Sequence, residues 1–218
     1  MGRVVADIST SLDGYVAGPD QSLDDPLGKG GEQLHEWAFG LRGWRERHGR
    51  SDGDTGPVND LLEEGIRATG ATIMGRRMYS GGQGPWEDDP NADGWWGDDP
   101  PFHHPVFVLT HHPREPREMK GGTSFTFIAD GIDSALEQAR DAAGDKDVAI
   151  GGGAEAIQQF LEAGLVDELQ IHVVPVLLGG GARLLDRVGP DDVELETTSV
   201  IEEAGVAHLR YRVAASGR

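Results

Sequence analysis

The chain has 218 residues, enough for one large core-bearing unit or two small ones. Its 38 acidic residues against 19 basic ones leave a formal charge of −19, so the surface repels phosphate backbones and anionic lipids, and neither nucleic-acid nor membrane partners are expected. Cysteine is absent, which excludes disulfides, thiolate catalysis, iron–sulfur clusters and Cys-type zinc sites together; with no apolar run of spanning length and no signal pattern, a cytoplasmic location is expected.

In chain order, Val4–Ile8 reads as a first strand, and Ser9–Gly18 as the loop leaving it. Leu34, Trp37, Ala38, Leu41 and Trp44 recur at helical spacing, which predicts one amphipathic helix over Gln33–Arg47. A Gly- and Asp-rich stretch, 48–57, separates it from a second helix at Val58–Ala68. A short buried strand, Ala71–Met74, ends at Gly75-Arg76-Arg77. Residues 80–104 form a long Gly-, Pro- and Trp-rich connection. Strands follow at Val106–Leu109 and Phe125–Ile128, then a helix at Ile132–Ala143. Val148–Ile150 runs into Gly151-Gly152-Gly153, a helix takes Ala154–Ala163, and a strand at Leu169–Val174 closes on Pro175. Period-2 alternation over Val193–Ile201 and Val206–Val213, with Ala204-Gly205 between, predicts a β-hairpin. The expected architecture is α/β, a mostly parallel central sheet flanked by helices with a C-terminal antiparallel hairpin. It forms a single domain over 1–218, with long insertions at about 24–58 and 80–104.

Chemistry concentrates where strands end. At Gly151-Gly152-Gly153 a strand meets a helix start, whose free N–H groups and dipole suit a pyrophosphate; a tight turn without a ligand is the competing reading. Gly151, Gly153 and Ala156 also fit the loose dinucleotide fingerprint. The acidic pair Asp167-Glu168 precedes the next strand instead of ending it, which argues against a classical Rossmann unit. Arg76 and Arg77 follow another strand end, where forked hydrogen bonds to phosphate or a surface carboxylate pair are equally open. Thr110, His111, His112 and Arg114 add donors at a third.

Ser11-Leu12-Asp13-Gly14-Tyr15-Val16-Ala17-Gly18, then Met74-Gly75-Arg76, Val108-Leu109-Thr110 and Ile150–Gly153, resemble in order the dihydrofolate reductase fold. With Val174-Pro175-Val176-Leu177-Leu178-Gly179-Gly180-Gly181 the chain is more similar to the RibD C-terminal domain, the reductase half of the riboflavin-pathway deaminase/reductase. Over essentially the whole chain, that resemblance implies an NADPH-dependent reductase of a small heterocycle, like 5-amino-6-(5-phosphoribosylamino)uracil reductase, and commonly a homodimer. It places Val16, Ala17 and Gly18 near the nicotinamide. Gly75, Arg76 and Arg77 would face the adenosine half, Thr110 and His111 the 2′-phosphate. Gly151, Gly152, Gly153 and Ala154 would lie on the pyrophosphate, and Leu177, Leu178 and Gly179 beside the substrate. A non-catalytic NADP(H)-binding module and a dihydrofolate or pterin reductase are the alternatives.

A hydride transfer needs a proton donor. Asp13 is one candidate, against an Asp-Gly turn role. His172 is another, against a satisfied core histidine; Glu36 is weaker. The pairs His103-His104 and His111-His112 stand roughly 25 Å apart if the strand between them is extended, so no metal site is expected. Trp86, Trp95 and Trp96 stack on a planar substrate, anchor their loop or bury a dimer contact.

Overall fold

A computed structural model describes residues 2–189 and 192–215. β1 (Val4–Ser11) leads through a turn into the short β2 (Tyr15–Ala17). Two short helices, α1 (Glu36–Phe39) and α2 (Arg42–Arg47), precede α3 (Pro57–Ala68), β3 (Thr69–Gly75) and α4 (Arg76–Ser80). β4 (Pro105–Leu109), β5 (Arg117–Glu118) and β6 (Ser124–Ile128) are followed by α5 (Ile132–Ala143), β7 (Asp147–Gly152), α6 (Ala154–Glu162) and β8 (Glu168–Val174). The chain ends with β9 (Ala182–Arg183) and the hairpin β10 (Val193–Glu203) and β11 (Val206–Ala215).

Nine strands form one sheet in the order β10-β11-β8-β1-β7-β3-β4-β6-β5, and β2 pairs with β9 as a separate ribbon. From β8 to β6 every neighbouring pair is parallel, and the antiparallel pairs stand at the two margins. This is the expected α/β sheet with its C-terminal hairpin. Because the six inner strands run one way, their C-terminal ends share one edge, and Gly152, Gly75 and Thr110 meet there.

Alternation assigns the faces. Val4, Ala6, Ile73, Phe107, Val148 and Ile150 point to one side and pack against α5 and α6 through Leu136, Ala139, Ile157, Phe160 and Leu161. Met74, Val106, Val108, Phe125 and Phe127 point to the other side, under Tyr79, Trp86 and Trp96. Both faces of the sheet are thus covered over β3, β4 and β6, as a parallel sheet requires.

One expectation changes. The helix over Gln33–Arg47 is broken into a 3₁₀ turn, α1 and α2. The break is at Leu41, whose extended backbone bridges Asp54; Arg42 N–H donates to Asp54 O and Asp54 N–H to Gly40 O, both at 2.9 Å. Helical spacing of apolar residues could not register this pairing with a segment further along. In the long stretch 80–104, Trp86–Asp88 makes a 3₁₀ turn, and Trp86 and Trp96 pack onto the second face.

Candidate functional site

The shared edge is built around the end of β7. Gly152 has φ +124, a conformation closed to most side chains, and its peptide bond to Gly153 is cis. Gly153, at φ −76, starts α6 with no side chain capping the first turn, so backbone N–H donors stay available there. A Cβ placed on Gly153 would meet nothing within 4 Å, and one on Gly75 nothing nearer than 3.7 Å. Internal packing therefore does not demand glycine at either position, and the open surface at Gly153 suits the close approach of a dinucleotide pyrophosphate. Gly151 differs: its side faces Thr72 and Met78, at 3.4 and 3.5 Å from a Cβ.

Around this turn the expected residues divide. Val16, Ala17 and Gly18 are buried, so that segment offers main chain rather than side chains. Gly18 is needed for packing, since a Cβ there would stand 2.2 Å from the Lys29 carbonyl. Thr110 is buried and accepts a 3.1 Å hydrogen bond from His112 N–H, while His111 is exposed beside it. Leu177 projects into solvent, Leu178 packs beside Leu34 and Val174, and Gly179 sits at φ +69.

Arg76 corrects an expectation. Its guanidinium is buried, 2.6 Å from the buried Asp89 carboxylate, and lies 3.5 Å over the ring of Trp86. Burial pushes Asp89 up, but hydrogen bonds from Ser80 and Arg76 outweigh it and hold the carboxyl below its ordinary range. The Arg76 side chain is thereby committed inside the protein, leaving its main chain and Arg77 at the edge. Trp86 anchors its loop, stacking on Arg76 and donating from Nε1 to His112 O at 2.7 Å.

Asp13 is corrected as a proton donor. It accepts from Ser11 Oγ at 2.6 Å, Leu178 N–H at 3.1 Å and Gly179 N–H at 2.8 Å. The Ser11 hydrogen bond, joined by those backbone donors against desolvation, lowers its pKa to about 2. An ionised carboxylate at neutral pH gives no proton; Asp13 instead ties the 177–179 loop to the end of β1.

His172 is buried and fully engaged. Nε2 lies 2.8 Å from Asp7 Oδ1, Nδ1 lies 2.6 Å from Nδ1 of His208, and the ring packs against Trp37 at 4.4 Å between centroids. Burial first, then His172, pushes His208 down to about 4, so His208 is neutral. Asp7 went unread in the sequence because one polar residue in an apolar strand has no local partner. Its side chain is 43% exposed although β1 is an interior strand. Val5, Ala149 and Gly151, on the same side, are only half-buried. Over β1 and β7 the second face is therefore open, between Trp37 on one side and Thr72 with His104 on the other. Asp7 stands on the floor of that trench, and the trench leads to the glycine turn. Glu36 lies exposed on α1. His103-His104 and His111-His112 fall at opposite ends of β4.

A family model for the RibD C-terminal domain matches residues 3–207. The chain belongs to the RibD C-terminal domain family. Membership in that reductase family makes it an oxidoreductase with a riboflavin-pathway, pyrimidine-reductase-like function. The fold is shared with a putative riboflavin biosynthesis protein from Shewanella sp. PV-4, with TM-score 0.60, 22% identity, and 97% of this chain and 99% of that one covered. It is shared with Acinetobacter baumannii RibD, at TM-score 0.57 and 18% identity over 98% of this chain and 58% of that one. A diaminohydroxyphosphoribosylaminopyrimidine deaminase/5-amino-6-(5-phosphoribosylamino)uracil reductase from Thermotoga maritima also shares it, at TM-score 0.54 and 14% identity over 98% and 57%. The RibD C-terminal chain thus spans under two thirds of the last two proteins. Comparison with curated protein sequences gives no match. Among the described residues no helix is long and apolar enough to cross a membrane.

Proposed function

We propose that the chain reduces a small heterocycle with NADPH, the cofactor lying across the C-terminal edge of the sheet and the heterocycle in the trench over β1 and β7. The observation that carries this reading is the uncapped start of α6 behind Gly152 and Gly153, next to a trench with an ionisable floor. NADPH supplies the hydride when bound; the protein's part is position, exclusion of water and the proton. Gly153 and Ala154 would hold the pyrophosphate from the main chain, and Gly75, Arg77, Thr110 and His111 the adenosine side. Val16, Ala17 and Gly18 would border the nicotinamide, and Leu177, Leu178 and Gly179 the substrate.

In this reading Asp7 relays a proton from solvent to the substrate, with His172 as the residue that positions its carboxyl. His208, behind His172, is neutral. Gln170 Nε2, at 3.3 Å, steadies the other carboxylate oxygen. Asp7 presents an oxygen to the trench, in reach of a ring nitrogen or an imine.

The same reading makes the protein a cytoplasmic homodimer without nucleic-acid or membrane partners; light scattering on purified protein tests the oligomer. The central test mixes protein and NADPH with ribosylamino-pyrimidines and pterins and follows loss of reduced-nicotinamide absorbance. Oxidation with a pyrimidine is expected. Tight NADPH binding without oxidation on any substrate would make the protein a binding module instead, and turnover of dihydrofolate blocked by antifolates would make it a pterin reductase.

A further inference from the structure

The opposite, N-terminal edge of the sheet holds a second cavity, of about 330 Å³, between the C-terminal ends of α3 and α5 and the start of β4. Its lining includes Arg47, His103, His104 and Lys146, with Phe102 and Ile66 as apolar walls. This concentration of basic groups is unusual in a molecule of charge −19, where most arginines are already committed to carboxylates: Arg3 to Asp147 and Glu168, Arg42 to Glu63, Arg45 to Asp52, Arg210 to Glu168. Arg47 donates from Nε to the Pro101 carbonyl at 2.7 Å, and neither Arg47 nor Lys146 has a carboxylate partner among the described residues. His104 is fixed by Thr72 Oγ1 at 2.8 Å from Nε2, and burial, with Arg47 nearby, keeps it neutral, with a pKa of about 4. Asp99, 3.9 Å from His103, is the acidic neighbour on that side; Asp7 acts on Arg47 from the trench.

Arg47 and Lys146, neither in an ion pair with a carboxylate among the described residues, stand beside an aromatic wall, where their charges add against a surface that is otherwise acidic. We propose that this cavity is an oxyanion site: it binds a phosphomonoester carried on a small ring or apolar body, with the phosphate between Arg47 and Lys146 and the body against Phe102 and Ile66. The volume suits a ligand of that size, at the small end of ligand pockets, and is too small for a dinucleotide. Arg47 offers a forked donor pair and Lys146 a mobile point charge, a combination matched to phosphate. The purely structural role for Lys146 is to complement the C-terminal dipole of α5, whose last residues line the cavity.

Binding at this cavity is separable from the cofactor site, which lies at the other edge by the glycine turn, although His104 borders both the cavity and the trench. Calorimetric titration of the full chain with phenyl phosphate, in the absence and presence of saturating NADPH, tests it. One saturable site is expected in both conditions, with no binding of phenol. Lys146→Gln and Arg47→Gln are each expected to weaken binding at least about tenfold, a loss of about 1.4 kcal/mol. Lys146 is exposed, so its variant keeps the fold, and a melting curve verifies this. Unchanged phenyl phosphate affinity in both variants, or binding of phenol as tight as of phenyl phosphate, overturns the site. A lowered melting temperature with unaltered binding assigns Lys146 to the helix dipole and likewise overturns it. Two sources of the oxyanion separate in the Lys146→Gln variant. A raised KM for a phosphorylated pyrimidine but not for its dephosphorylated form identifies the substrate's own tail. Equal KM values with lost phenyl phosphate binding identify a separate small anion.

Discussion

Replacing Gly153 by Ala separates a glycine kept for a ligand from one kept for the fold. At φ −76 the backbone accepts any residue, and the new methyl would meet no atom within 4 Å. Stability should therefore hold or rise by about 0.4–1 kcal/mol through loss of unfolded-state freedom. The methyl would stand on the surface where a pyrophosphate meets the first N–H groups of α6. Displacing an anion by the width of a methyl breaks one charge-assisted hydrogen bond, worth about 1.5–3 kcal/mol. NADPH affinity should fall by about 10- to 100-fold, or about 1.4–2.8 kcal/mol. Gly152→Ala is the contrast: at φ +124 the strain, about 1–3 kcal/mol, appears in stability itself. Urea denaturation gives the stabilities, and quenching of tryptophan fluorescence by NADPH gives the affinities. If Gly153→Ala binds NADPH as well as the unaltered protein, the cofactor does not lie on this turn, and the reasoning from open space fails.

Asp89→Ala leaves the Arg76 guanidinium buried without its carboxylate and should cost about 3–5 kcal/mol in urea unfolding; adding Arg76→Met should recover much of it. His172→Gln should shift the pH dependence of kcat while leaving NADPH affinity unchanged, and Asp7→Asn should lower kcat more than KM; an unaltered pH profile in both would remove the proposed proton relay. Asp13→Ala frees the N–H groups of Leu178 and Gly179, so limited proteolysis should cut the 177–181 loop faster, with the pH profile of kcat unmoved. Stability should decline below about pH 6.5, because His104 and His208 bind protons in the unfolded chain from there but in the folded protein only near pH 4. Their contribution is present above that window and is lost as pH falls through it, at most about 1.4 kcal/mol per pH unit for each histidine. A flat urea midpoint between pH 6.5 and 4 would contradict this assignment.

What could be read from the chain alone follows from local periodicity. The bounds of α5, Ile132–Ala143, follow from apolar residues that recur every three or four positions between Gly131 and Gly144. The β10–β11 hairpin followed from alternation around Ala204-Gly205, both at positive φ. The glycine turn after β7 announced a strand-to-helix junction, and the parallel strands around it carried the expected sheet. Pairings between distant segments left no such trace. β2 and β9 are three and two residues long and exist only because they pair with each other. The partner of Arg76 is thirteen residues on, in a loop without periodicity, and the partner of Asp7 is 165 residues away. A side chain's charge and hydrogen-bonding capacity are written in its identity. Whether these face a ligand or are consumed by a neighbour depends on which strands become adjacent, and that is decided when the whole sheet assembles.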